Sequence, residues 1–239
     1  MDGGRGRRAL AEFVGTGLLV TVVVGSGIAA QRMSPADTGL QLLENAAATA
    51  GGLVAIILAV GPVSGAHLNP VISLVDAAFG GLSLRDIGAY VAAQLTGAIA
   101  GCVLANLMFD VRAVDWSMRA RSGGGFWLAE VVATAGLVLV VFGVVRSGRA
   151  SAAPFAVAAY IGSAYWFTSS TSFANPAVTV GRAFSDTFAG IEPSSVPAFV
   201  VAQLVGGGVA LVLVRYLYPD VASVADDVVV PHGTRDGEP

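Results

Sequence analysis

Ser64-Gly65-Ala66-His67-Leu68-Asn69-Pro70-Val71 and Thr171-Ser172-Phe173-Ala174-Asn175-Pro176-Ala177-Val178 are two versions of one segment, and they decide the fold. Each follows a long apolar run, and their Asn-Pro pairs stand 106 residues apart. Asparagine is a preferred helix N-cap. Proline suits the first helical turn, where it has no N–H to satisfy. The runs that follow, Val71–Phe79 and Ala177–Asp186, are too short to cross a bilayer as helix. They are expected to be half-helices starting near the membrane midplane. Segments 61–68 and 169–174 would lead to them as non-helical backbone, which is tolerated at that depth only where protein buries it or it lines water.

Composition agrees with a membrane chain. Of 239 residues, 55% are hydrophobic and 12% charged, with mean hydropathy +0.74, whereas about a quarter of a soluble domain is charged. Six stretches are nearly free of charge: 9–31, 45–66, 87–109, 126–145, 154–171 and 195–218. The expected fold is all-α and integral to the membrane, with six transmembrane helices and two re-entrant half-helices. The run from Ala9 to Ala30 is too long for a signal peptide's apolar region and is read as a retained first span. Cys102 is the single cysteine, so no internal disulfide is possible, and it reads as a small buried hydrophobe. Net charge −3 gives no reason to expect nucleic acid.

Working outward from the Asn-Pro pairs, further markers recur in one order. Ala11-Glu12-Phe13-Val14-Gly15-Thr16-Gly17 resembles Ala129-Glu130-Val131-Val132-Ala133-Thr134-Ala135, and Ala93-Gln94-Leu95-Thr96-Gly97 resembles Ala202-Gln203-Leu204-Val205-Gly206. The offsets are 118, 106 and 109 residues. Each repeat therefore holds three spans, and an odd number inverts the second repeat relative to the first. The expected division is a cytoplasmic tail at 1–8, a first repeat at 9–109, a connecting loop at 110–125, a second repeat at 126–218 and a flexible tail at 219–239. All 13 basic residues are arginine, and eight fall on the inside if both termini are cytoplasmic, which follows the positive-inside rule.

Two half-helix N-termini facing each other would put partial positive charge at the pore centre. Each capping asparagine would keep its side-chain NH₂ free for a passing oxygen. Such a site favours small uncharged molecules with oxygens and repels protons and cations. The blander alternative is that the Asn-Pro pairs only cap buried helices. An enzyme is disfavoured, because two histidines and one cysteine assemble no nucleophile–base pair or metal cluster. No cofactor is implied.

These motifs resemble the aquaporin (major intrinsic protein) family over about residues 9–217. Asn69-Pro70-Val71 matches the family's first Asn-Pro-Ala box with valine for alanine, and Asn175-Pro176-Ala177 matches the second unchanged. Glu12, Glu130, Gln94 and Gln203 match its intramembrane glutamates and glutamines, and His67 stands where the family often has histidine. The resemblance implies six spans, two half-helices, cytoplasmic termini and a homotetramer in the plasma membrane with one pore per subunit. It makes Glu12 and Glu130 supports for the re-entrant backbone, against the alternative of proton coupling. His67 reads as a loop-packing or pore-lining donor rather than a metal ligand.

One departure bears on cargo. The family's usual arginine after the second box is Val178 here. Ungapped family spacing gives a filter ring of Thr49, Ser163, Ser172 and Val178, with no aromatic and no cation. A wide, uncharged ring implies a passive channel for glycerol-like polyols or neutral metalloid hydroxides such as arsenious acid, besides water. The flanks Ser172–Val180 and Phe184–Ile191 resemble a bacterial branch linked to arsenic resistance. The alternatives are an ordinary water channel and a non-conducting structural membrane protein. Arg182, one turn beyond Val178, is either a pore-mouth charge or a partner of Asp186 or of a neighbouring subunit.

Overall fold

The computed structural model describes residues 3–219. Eight α-helices follow in order among them: α1 (Gly3–Met33), α2 (Thr38–Ser64), α3 (Pro70–Phe79), α4 (Leu84–Met108), α5 (Gly124–Arg146), α6 (Ala153–Phe167), α7 (Pro176–Arg182) and α8 (Val196–Leu217). Five helical segments are long and apolar enough to cross a membrane: Gly4–Met33, Thr38–Ser64, Leu84–Met108, Gly124–Arg146 and Pro193–Leu217. The sixth span, α6, has 15 residues and is lengthened by a 3₁₀ turn at Ala150–Ala152. Residues 3–8, read from sequence as a tail, form the first turns of α1. The C-terminal tail expected at 219–239 lies, beyond residue 219, outside the described residues.

The packing pattern repeats as the sequence does. In the first half α1 packs on α2 and α4, and α3 packs on α4. In the second half α5 packs on α6 and α8, and α7 packs on α8. The halves join through α2 against α6, and each half-helix also lies against the other half: α7 on α4, α3 on α8. Small residues let the long helices cross closely, as in other membrane bundles. A Cβ on Gly101 of α4 would collide with the carbonyl oxygen of Gly17 on α1. A Cβ on Gly206 of α8 would stand 2.5 Å from the carbonyl oxygen of Val131 on α5.

The half-helices start where the sequence placed them, but α7 stops at Arg182 rather than Asp186. The segment between α4 and α5 ends it. Ser117 N–H donates to the Ala183 carbonyl at 3.0 Å and Asp115 N–H to that of Phe184 at 3.1 Å. Asn106 Nδ2 donates to the Phe184 carbonyl as well. These donors take carbonyls at the C-terminal end of α7, so the chain turns away. The connecting segment thus covers the end of α7 as well as linking the two halves.

Candidate solute pathway

The two half-helices meet N-terminus to N-terminus. Asn69 caps α3, its Oδ1 accepting from Val71 N–H at 2.9 Å. Asn175 caps α7, accepting from Ala177 N–H at 3.0 Å and Val178 N–H at 3.3 Å. The two asparagines also cross-bond. Asn69 Nδ2 donates to the Ala174 carbonyl and Asn175 Nδ2 to the Leu68 carbonyl, both at 2.7 Å. This corrects one expectation. The amide groups are not wholly free: each uses one N–H to tie the halves together and keeps one for the lumen.

The backbone leading into each cap is held in the same unusual conformation. Residues four, three and one before each asparagine have positive φ: Gly65 (89°), Ala66 (49°) and Leu68 (51°) in one copy, Thr171 (61°), Ser172 (49°) and Ala174 (49°) in the other. For a non-glycine residue this costs of order 1–3 kcal/mol. Two buried carboxylates compensate. Glu12 accepts from the N–H groups of His67 (3.0 Å) and Leu68 (2.7 Å), from Ser64 Oγ and from Gln94 Nε2. Glu130 accepts from Phe173 N–H (2.9 Å), Ala174 N–H (2.8 Å) and Gln203 Nε2. The glutamines also donate into the half-helices, Gln94 to Ser73 Oγ and Gln203 to Thr179 Oγ1, each four residues after its asparagine. The strained backbone peptides are thus turned toward the glutamates, while the Leu68 and Ala174 carbonyls accept the asparagine amides across the halves.

A cavity of about 110 Å³ runs beside these caps. Leu19, Val23, Leu53, Leu137, Val141 and Val157 form its apolar wall. The re-entrant residues Gly65–Asn69, Ser172, Phe173 and Asn175 line it as well. Of the four expected ring residues, Thr49, Ser172 and Val178 line the cavity. Ser163 does not. It is exposed, and its Oγ donates to the Ala159 carbonyl of its own helix. Tyr165 lies in its stead, its hydroxyl 3.2 Å from Thr49 Oγ1. A spacing shift of two residues caused the error. Ala153, Val157, Ile161 and Tyr165, four apart along α6, all line the cavity. That ladder was the signal that could have found Tyr165.

Arg182 also corrects the expected ring. It is 2% exposed, lines the cavity and is not paired with Asp186. Its Nε donates to the Ala189 carbonyl and its guanidinium carbon stands 3.4 Å from the Phe173 ring centroid. Asp186 instead accepts from Met118 N–H. The wall therefore has aromatics, Tyr165 and Phe173, and a cation. His67 is buried on the wall, with Nδ1 2.9 Å from Ser73 Oγ and Nε2 3.5 Å from Asp76 Oδ2. Pro70 and Pro176 open the two half-helices, and Val71 and Ala177 are buried behind the caps. Sequence reasoning missed Arg121, a buried loop arginine that no motif flags.

A family profile described as "Major intrinsic protein" matches residues 4–173. The chain is 52% identical over 211 residues to aquaglyceroporin AqpS of Rhizobium meliloti (strain 1021), covering 88% of this chain and 90% of that protein. It is 30% identical over 237 residues to aquaporin Z of Rhodopseudomonas palustris, covering 92% and 96%. In fold it is similar to the X-ray structure of the aquaglyceroporin from Plasmodium falciparum, with TM-score 0.65 and 20% identity over 91% of this chain and 98% of that one.

Proposed function

The chain belongs to the major intrinsic protein family, a family of membrane channels for small solutes, and from that premise we propose that it passively conducts small neutral solutes larger than water. Glycerol-like polyols and neutral metalloid hydroxides such as arsenious acid are the proposed cargo, with water passing too. One observation carries this: Val178, a short apolar side chain immediately after the second box, lines the same cavity as Thr49 and Ser172. The named aquaglyceroporin at 52% identity supports it. Thr49, Ser172, Val178 and Tyr165 are proposed to form the narrow region, with Asn69 and Asn175 as donors at the centre. Glu12, Glu130, Gln94 and Gln203 hold the re-entrant backbone. The protein is proposed to work as a homotetramer in a bacterial inner membrane with cytoplasmic termini.

A second reading, an ordinary water channel, is favoured by Tyr165 and Arg182, which return an aromatic and a cation to the wall. Stopped-flow swelling of proteoliposomes separates the two. Glycerol and arsenite gradients should both drive protein-dependent volume change. Fast water flow with neither solute entering would overturn the first reading and leave the second.

A further inference from the structure

Two arginines are buried without an acidic partner at the end of the pathway remote from the N-terminus of α1. Arg182 is 2% exposed and Arg121 7%. Neither takes part in the Arg5–Asp86 ion pair or the His67–Asp76 contact. Both guanidiniums contact the Phe173 ring, at 3.4 Å and 4.9 Å from its centroid. A buried charge without a counter-charge is costly unless its donors are satisfied.

The two arginines use their donors differently. Arg121 is a strut: Nε donates to the Gly190 carbonyl (2.9 Å), Nη1 to Ser170 (3.2 Å) and Nη2 to Phe188 (3.4 Å). Its charge is spread over backbone oxygens that hold the loop around α7. Arg182 gives only its Nε, to the Ala189 carbonyl. Its two terminal amino groups have no acceptor among the described residues, and the residue lines the cavity. A planar guanidinium edge with free parallel donors fits a two-oxygen acceptor.

The duplicated slot at the other mouth sharpens the assignment. Asp76 follows Asn69 by seven residues, as Arg182 follows Asn175. Asp76 lies against His67, as Arg182 lies against Phe173, and both rings stand two residues before their asparagine. One slot therefore holds a buried carboxylate in the first half and a buried guanidinium in the second, and of the two only Arg182 lines the cavity.

We propose that Arg182, with Arg121 behind it, is a binding site for small monovalent oxyanions of carboxylate shape, which occupy the mouth and compete with the neutral solute. The proposal rests on the cavity being the solute pathway. The probe is sodium formate, equilibrated on both sides of proteoliposomes at fixed pH, against sodium chloride at equal ionic strength. At a formate concentration equal to its dissociation constant, glycerol flux falls about twofold. Thermal unfolding of the detergent-solubilised protein gives a second readout that needs no flux, and formate raises the midpoint relative to chloride. Arg182→Gln removes both effects, and Arg182→Lys weakens both, because a point charge replaces the fork. Equal flux and equal midpoints in formate and chloride, in a preparation that conducts glycerol, overturn the proposal. Effects that persist in the Arg182→Gln variant also overturn it. A preparation that conducts no glycerol overturns the pathway reading instead, while the unfolding midpoint still decides the anion site.

Discussion

Val178 and Arg182 stand one turn apart on α7, and both face the cavity. A second guanidinium at position 178 would fill space beside Thr49 and set a like charge four residues from Arg182. Val178→Arg is therefore expected to slow the bulkiest permeant most. If the side chain raises the barrier to glycerol by about 1.4 kcal/mol, flux falls about tenfold, while water is slowed less. Stopped-flow ratios of glycerol to water read this directly, and an unchanged ratio would place the narrow region elsewhere. Glu12 predicts the opposite pattern. Its carboxylate takes four donors, and Glu12→Gln sets an NH₂ donor against backbone N–H groups. Leaving such donors unsatisfied costs about 1–3 kcal/mol each. The variant should lower the thermal midpoint in detergent and reduce all solute fluxes in proportion, with selectivity unchanged.

At the scale of elements, the two re-entrant segments are matched in their left-handed residues, and that geometry is the point most sensitive to side-chain branching. Ala174 has φ 49° and its carbonyl accepts from Asn69. Ala174→Val places a β-branched residue in a conformation such residues avoid. The expected loss is about 1–3 kcal/mol of local stability, with the Asn69 cross-bond disturbed and glycerol flux falling. Ala174→Gly, which accepts positive φ freely, should keep both flux and melting temperature close to the parent's. If Val and Gly behaved alike, backbone strain would not govern this segment. The elements themselves were largely legible in sequence, because Asn-Pro caps and apolar run lengths are local signals. The α6 register was not. Ser163 and Tyr165 differ by two positions, and only the face shared by Ala153, Val157 and Ile161 distinguishes them. Arg121 was illegible for another reason: its partners Ser170, Phe188 and Gly190 lie 49 to 69 residues away. No spacing rule connects them.

For the whole molecule, duplication explains why two buried carboxylates need not mean proton coupling. A relay requires groups that exchange a proton along a continuous path. Glu12 and Glu130 instead accept from donors that repeat in both halves: two backbone N–H groups and one glutamine amide each. Neither backbone N–H groups nor glutamine amides titrate; Gln203 leads on to Thr179, and Gln94 leads to Ser73, beyond which His67 and Asp76 stand in the first half, separated from Glu12 by that amide. Between the carboxylates stand the crossed asparagines and the N-termini of α3 and α7, whose partial positive charges oppose a proton. Transport is therefore expected to follow the solute gradient alone. Proteoliposomes with an internal pH dye should show glycerol entering at a rate independent of an imposed proton gradient, with no acidification of the lumen. Acidification that required both glycerol and protein would show that at least one carboxylate exchanges its proton during transport. Glu12→Gln and Glu130→Gln, measured separately, would then identify it, since a structural support loses flux of every solute while a coupling group loses only the proton movement.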